Sequence, residues 1–133
     1  MLLLADDDEH GAALTQRAFK AAGIDEPVVS VRTGEAAIQH LSDSKVAPRI
    51  ALLDQNLPGR TGLEVLQWIR TASPLPTLPV LLLSGSDYDG DVQTAYLLGA
   101  NAYLVKPSTY DATVEMAKAI KAFWLGVNRG PPR

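Results

Sequence analysis

Ile50-Ala51-Leu52-Leu53-Asp54-Gln55-Asn56-Leu57-Pro58-Gly59-Arg60-Thr61-Gly62-Leu63-Glu64-Val65-Leu66 is the stretch that decides the fold of this chain. Its first four residues, Ile50–Leu53, are apolar without alternation, so the strand they form is expected to be buried on both faces, as in a parallel sheet. The run stops at Asp54, and Leu57-Pro58-Gly59 continues the turn that this acid can begin. From Gly62 to Thr71 the apolar residues take helical spacing: Leu63, Leu66 and Ile69 form a stripe with Arg70 at its polar edge. A buried strand, a turn carrying a carboxylate and an amphipathic helix make one βα unit.

Working outward, the same unit recurs. Apolar runs at Leu2–Ala5, Val28–Val31, Val80–Leu83 and Ala102–Val105 are each bounded by Pro, Gly, Asp, Asn or Ser. Helix-like stretches separate them at His10–Ala22, Glu35–Ser42, Asp89–Leu98 and Asp111–Leu125. Leu14, Ala18 and Ala21 or Ala22 mark the inner face of the first helix, and Val114, Ala117, Ile120 and Lys121 that of the last. Gly23 and Gly99 read as C-terminal helix stops. Thr33 and either Ser108 or Thr109 read as N-terminal caps. Pro48, Pro79 and Pro107 fall at junctions, where a missing N–H does least harm. Five strands alternating with five helices predict an α/β fold with a parallel sheet, right-handed crossovers and helices on both faces.

The composition excludes several function classes. With 133 residues, 47% hydrophobic and 20% charged, the chain fits one domain with a real core. No repeat or linker divides it. The expected boundaries are a domain over residues 1–125 and a flexible tail over 126–133, rich in Gly, Pro and Arg. A net charge of −3 gives no electrostatic basis for nucleic-acid binding. The absence of cysteine excludes disulfides, thiolate metal sites and cysteine nucleophiles, and fits a cytoplasmic protein. Apolar runs such as Pro79–Leu83 are too short to span a bilayer, and Met1–Ala5 lacks the basic lead of a signal peptide.

The functional reading starts from where polar residues fall. Leu2–Ala5 ends in Asp6-Asp7-Asp8, Ile50–Leu53 in Asp54, Val80–Leu83 in Ser84, and Ala102–Val105 in Lys106-Pro107. In an open parallel sheet these carboxyl ends share one edge, where ligand sites form. Clustered carboxylates repel one another unless a hard cation sits among them, and Mg²⁺ suits such an all-oxygen site. Lys106 adds a mobile positive charge and Ser84 a short hydroxyl. A carboxylate nucleophile, a metal, a lysine and a hydroxyl together suit transfer of phosphate onto aspartate. Taken singly, each feature has an ordinary explanation. Asp6–Asp8 would cap a helix, Asp54 would open a turn, Ser84-Gly85-Ser86 would be a loop and Lys106 a surface charge. Those explanations do not account for acid, acid, hydroxyl and lysine all ending strands of one sheet.

At this point the sequence resembles the receiver domains of bacterial two-component response regulators. LLLADDD, LLDQNLPGRTGLEVL, LPVLLLSGS and GANAYLVKPS carry the resemblance, in order and each at a strand end. It implies a flavodoxin-like (βα)5 doubly wound fold with five-stranded parallel sheet order 2-1-3-4-5. It implies Asp54 as phosphoacceptor, with Lys106 and Ser84 assisting on the phosphoryl oxygens. It implies Mg²⁺, or Mn²⁺ in its place, held by Asp7, by Asp6 through water, by Asp54 and by the backbone carbonyl of Asn56. Ser84 and Tyr103 match the paired switch positions of the family, and the Lys106–Pro107 peptide is expected to be cis. Tyr103 also admits a plainer reading, as a half-buried strand residue.

NLPG, GANAYLVKPS and the Phe123-Trp124 ending are similar, more finely, to small stand-alone receivers paired with phytochrome-type sensor kinases. That implies a histidine kinase as phosphoryl donor and a separate downstream protein as target. Tyr96, Phe123 and Trp124 further suggest a homodimer through the face of the fourth helix, fifth strand and fifth helix.

The chain also departs from the family pattern. Thr61 stands where Asp is common, Gln55 where a hydrophobic residue is common, and Gly85 where Ala is common. Ser86 and Asn56 occupy positions that tune hydrolytic water in this family, and Asp8 adds an acid that can cap the first helix. His10 and His40 are read as surface residues. No enzyme activity is expected beyond self-catalysed phosphotransfer and slow autodephosphorylation. The competing reading is a receiver-like interaction scaffold that works without phosphorylation. An aspartyl-nucleophile phosphatase fits less well, because Asp54 follows the third strand and Asn56 stands where a second Asp would be needed.

Overall fold

The computed structural model describes residues 1–132. Arg133, the last residue of the expected tail, lies outside the described residues. The strands are β1 (Leu2–Ala5), β2 (Val28–Val31), β3 (Ala51–Asp54), β4 (Val80–Ser84) and β5 (Ala102–Val105). The helices are α1 (Glu9–Ala21), α2 (Gly34–Leu41), α3 (Gly62–Thr71), α4 (Asp89–Leu97) and α5 (Tyr110–Ala122). All strand pairings are parallel, in the order β2-β1-β3-β4-β5. This is the flavodoxin-like order, with the reversal of direction between β1 and β3. No helix among the described residues is long and apolar enough to cross a membrane.

Burial on both faces holds for the three inner strands β1, β3 and β4, every residue of which is buried. It fails at the edges. β2 exposes Ser30 and β5 exposes Val105, because an edge strand has a neighbour on one side only. Alternate strand residues feed two cores. Leu3, Leu53 and Leu82 face α2 and α3, whereas Leu2, Leu52 and Leu81 face α1 and α5. The stripe expected for α1 holds at Ala18, which is buried, and at Ala22, which packs on the core, whereas Ala21 is exposed and Ala12 and Phe19 are buried in addition. Phe19 dominates that face because its ring removes far more apolar area from water than an alanine does.

Helix ends follow local chemistry. The Thr33 and Thr109 side chains accept from Ala36 N and Ala112 N, and Thr61 forms a reciprocal capping box with Glu64. Gly23 (φ 87°) and Gly99 (φ 104°) close α1 and α4 in the left-handed region that suits glycine. Beyond α5 the chain makes one wider turn, Phe123–Val127, closed by Asn128 N donating to Phe123 O at 2.7 Å.

The Lys106–Pro107 peptide corrects an expectation. It is trans, and no peptide among the described residues is cis. A proline peptide prefers trans by about 0.5–1 kcal/mol unless its surroundings reverse the balance. His40 is likewise not a plain surface residue: it is half-buried, with its Nε2 sealed and without a hydrogen-bond partner. The last expected surface feature, Trp124, is half-buried against the β1–α5 core, and Phe123 packs edge-on to it at 5.0 Å.

Candidate functional site

The carboxyl ends of β1, β3 and β5 bring together Asp6, Asp7, Asp54 and Lys106, which line one cleft of about 280 Å³. Asp54 is the last residue of β3 and only 1% exposed. Such burial of an acid demands partners. Lys106 Nζ donates to Asp54 Oδ2 at 2.6 Å, and the Asn56 amide donates to Asp54 Oδ1 at 3.0 Å. Lys106 reaches across β4 to do this, from a side chain 39% exposed and therefore able to reorient.

One carboxylate oxygen from each of Asp6, Asp7 and Asp54 lies within 4.8 Å of the others. Burial pushes the Asp6 carboxyl above its ordinary range, and the charges of Asp54 and Asp8 push the same way. The Asp8 amide, donating to Asp6 Oδ1 at 2.9 Å, and Lys106 partly offset this. Three acidic oxygens held this close, one of them sealed from water, form a hard-oxygen donor set that fits a divalent cation. Asp8 has a different task. Its side chain accepts from His10 N at 3.1 Å and caps α1. The acids at the end of β1 thus divide into two at the site and one at the helix.

Ser84 ends β4, 5% exposed, and sits beside β5 in register with Val105. It lines a second cavity of about 430 Å³ together with Gln55, Asn56, Ser86 and Tyr103. Its Oγ accepts from Ser86 N at 3.1 Å. Tyr103 is half-buried against the α3-side core, and its hydroxyl donates to Ser86 O at 2.8 Å. Both switch candidates therefore contact one loop, β4–α4, and they meet through Ser86.

The fold is positioned to serve this rim. The family model for the response regulator receiver domain matches residues 2–118. The chain belongs to the response regulator receiver domain family. Among similar proteins, the probable methanogenesis regulatory protein FilR2 of Methanothrix harundinacea is 36% identical over 135 residues, covering 98% of this chain and 87% of that protein. The Mn²⁺-bound form of response regulator Rcp1, a protein of Synechocystis, superposes with a TM-score of 0.86 at 32% identity, covering 98% of each chain. The phosphorylated cyanobacterial phytochrome response regulator RcpA superposes with a TM-score of 0.88 at 31% identity, covering 98% of this chain and 97% of its own.

Some site-shaping residues of this receiver were not foreseen. Gln55 Oε1 accepts from Leu63 N at 2.9 Å, so the residue noted as out of pattern caps the start of α3. Gly62 lets that helix approach: a Cβ there would lie 2.6 Å from Asp54 O. Arg70 donates to Gly99 O, Pro76 O, Leu78 O and Asn101 Oδ1 at 2.7–3.1 Å, tying the ends of α3 and α4 to the start of β4. An arginine at the polar edge of a helix gives no hint of its distant partners. The β-end position of Gln55 and the Gly62 spacing were visible but carried no direction.

Proposed function

We propose that this receiver accepts a phosphoryl group on Asp54 and relays the change through its β4–α4 loop. The observation that carries the reading is the sealed Asp54 carboxylate, held by Lys106 at 2.6 Å and crowded by two further acids within 4.8 Å. A structural ion pair does not need two extra carboxylates, whose repulsion costs stability.

In the proposed step an Asp54 carboxylate oxygen attacks phosphorus in line. An O–P bond forms, and the bond from phosphorus to the donor breaks. The donor is a phosphohistidine, whose nitrogen keeps the bonding pair, or a small acyl phosphate such as acetyl phosphate, which leaves as carboxylate. The Asn56 amide fixes the Asp54 side chain through Oδ1 during the attack. Lys106 shifts donors from Asp54 Oδ2 to a phosphoryl oxygen, offsetting the incoming charge. Asp6, Asp7, Asp54 and the Asn56 carbonyl would hold Mg²⁺, or Mn²⁺ in its place, and such an ion supplies charge neutralisation for phosphoryl oxygens. The Mn²⁺ in the Rcp1 structure supports this. Ser84 turns its hydroxyl to the phosphoryl group and Tyr103 follows. Water later hydrolyses the acyl phosphate, which is the full extent of the chemistry.

The resemblance to RcpA, a phytochrome response regulator, supports a phytochrome-type histidine kinase as donor; a cytoplasmic setting and a separate protein as target belong to the same proposal. Tyr96, Leu97 and Phe123, at 50%, 78% and 49% exposure, support a homodimer through α4, β5 and α5. Light scattering with and without beryllofluoride checks this, and one unchanging monomer refutes it.

The deciding experiment is intact-mass measurement after incubation with acetyl phosphate and Mg²⁺. The expected result is a gain of one phosphoryl group, lost in Asp54→Asn. No gain overturns the reading and leaves the scaffold alternative; an unchanged gain in Asp54→Asn overturns Asp54 as the acceptor.

A further inference from the structure

Every polar handle of Ser86 is engaged, and each leads to a different place. Its N–H donates to Ser84 Oγ at 3.1 Å. Its carbonyl accepts from the Tyr103 hydroxyl at 2.8 Å. Its Oγ donates to Asp91 Oδ2 at 2.6 Å and accepts from Tyr88 N at 3.2 Å. The last two partners lie in the first turn of α4 and at its N-cap. Among the described contacts Ser84 makes no hydrogen bond with α4, and Tyr103 meets it only toward its C-terminal end, where Tyr103 N donates to Tyr96 Oη at 3.2 Å; Ser86 reaches its N-terminal end.

The helix it holds is loosely seated. Ala95 is the buried residue of α4, and the Tyr88 side chain provides no cap. Without Ser86 Oγ the Tyr88 amide loses its acceptor, a cost α4 has little packing to offset. The other end of α4 is fixed. Arg70 Nε and Nη2 donate to Gly99 O at 3.1 and 2.8 Å, and Nη2 also reaches Asn101 Oδ1, which accepts from Val80 N at 2.8 Å. One end is thus tied to the sheet; at the other, beyond the helix's own backbone bonds, the Ser86 hydroxyl is the side-chain hold among the described contacts.

We propose that Ser86 is a positioning residue whose hydroxyl carries the state of the Asp54 site into the N-terminal end of α4, with the Arg70-held end as the fixed point. The proposal rests on the phosphoacceptor reading above. When Ser84 Oγ rotates toward a phosphoryl oxygen, Ser86 N is left without its acceptor, and an unpaired half-buried donor is costly enough to move the loop. Movement of Ser86 then shifts two partners at once, through its carbonyl at Tyr103 and through its hydroxyl at α4. These are two branches from one residue, and only the second uses Oγ.

Amide hydrogen exchange on the whole chain separates the branches. Without any phosphoryl mimic, Ser86→Ala, which removes both Oγ bonds, is expected to speed exchange at Tyr88–Val92 at least about fivefold, the effect of one lost hydrogen bond. Asp91→Ala, which leaves the Tyr88 N–Ser86 Oγ bond, is expected to do less, the double variant no more than Ser86→Ala alone, and Ser86→Thr to keep the wild-type rate. Additive effects, or an unchanged rate in Ser86→Ala, overturn the proposal. With Mg²⁺ and beryllofluoride, the wild type is expected to change at Ala102–Val105 and at Tyr88–Val92 but not at Leu98–Asn101. Ser86→Ala keeps the first change and loses the second. A Ser86→Ala protein whose α4 still responds overturns the proposal while leaving the Asp54 reading intact. A wild type that shows no response to beryllofluoride and no phosphoryl mass gain overturns both.

Discussion

Replacing Asp6 by Asn should stabilise the protein when no divalent cation is present. Asp6, Asp7 and Asp54 offer oxygens within 4.8 Å of one another. At that separation a like-charge pair costs between about 0.9 kcal/mol in a water-like dielectric and about 3.5 kcal/mol at an effective dielectric of 20. Asp6→Asn removes two of the three repulsions and keeps an oxygen for the Asp8 amide, but it gives up attraction to Lys106. Asp7 is exposed, so its share lies near the low end. A net gain of about 1 kcal/mol follows, or a rise in Tm of about 4 °C for a domain of this size. The fold raises the Asp6 pKa above the ordinary 3.8, chiefly by burial, so it favours the protonated form. That contribution is fully present below the unfolded value and is lost as the pH rises through the folded value. The advantage of Asp6→Asn is therefore greatest at neutral pH and shrinks as the pH falls through the folded value. The assay is thermal unfolding followed by circular dichroism, in EDTA, across pH, and again in Mg²⁺. Excess Mg²⁺ should invert the order, since a ligand at 100 times its Kd adds about 2.7 kcal/mol to whichever protein binds it. An Asp6→Asn protein that melts below wild type in EDTA at neutral pH refutes the reasoning.

Lys106→Met leaves the sealed Asp54 carboxylate with the Asn56 amide alone. Because Lys106 is 39% exposed, the expected loss is about 1–2 kcal/mol rather than that of a fully buried pair, read from the urea midpoint. The double variant with Asp54→Asn should recover most of it. Arg70→Ala strands the carbonyls of Gly99, Pro76 and Leu78, and about 2 kcal/mol should be lost by urea titration, with the family's mass-gain assay unaffected. Gly62→Ala places a Cβ 2.6 Å from Asp54 O and should cost 2 kcal/mol or more, roughly, while slowing phosphorylation. Gly85→Ala meets nothing within 4 Å and should leave the urea midpoint within about 0.5 kcal/mol of wild type.

How far the sequence could be read depended on whether the information was local. β1, β2 and β5 begin and end where their apolar runs do, because strand length here is set by flanking Gly, Pro and Asp. β3 shifts by one residue to Ala51–Asp54, and β4 keeps its start at Val80 and gains Ser84, because strand hydrogen bonding extends beyond the apolar residues. The convergence of Asp6, Asp7, Asp54 and Lys106 was legible because a parallel sheet puts every strand end at one rim. The inner face of α1 was legible in part, at Ala18 and Ala22, while Phe19 beside them is buried as well because its large ring has the most apolar area to remove from water. The contacts of Gln55, Arg70 and Ser86 were illegible for a common reason. Each depends on the direction of a polar side chain toward a backbone group, and periodicity says nothing about that direction.

Strand order also sets a sequence of events at the ribosome. β1 lies inside the sheet, flanked by β2 and β3, and from there each later strand adds to one growing side. Domains emerge N-terminus first. A nascent chain extending through α3 therefore already holds the residues that gather Asp6, Asp7 and Asp54, while Ser84 and Lys106 are still unmade. A chain folded only that far would gather these three acids before Lys106, which pairs with Asp54 in the folded domain, is there to offset them.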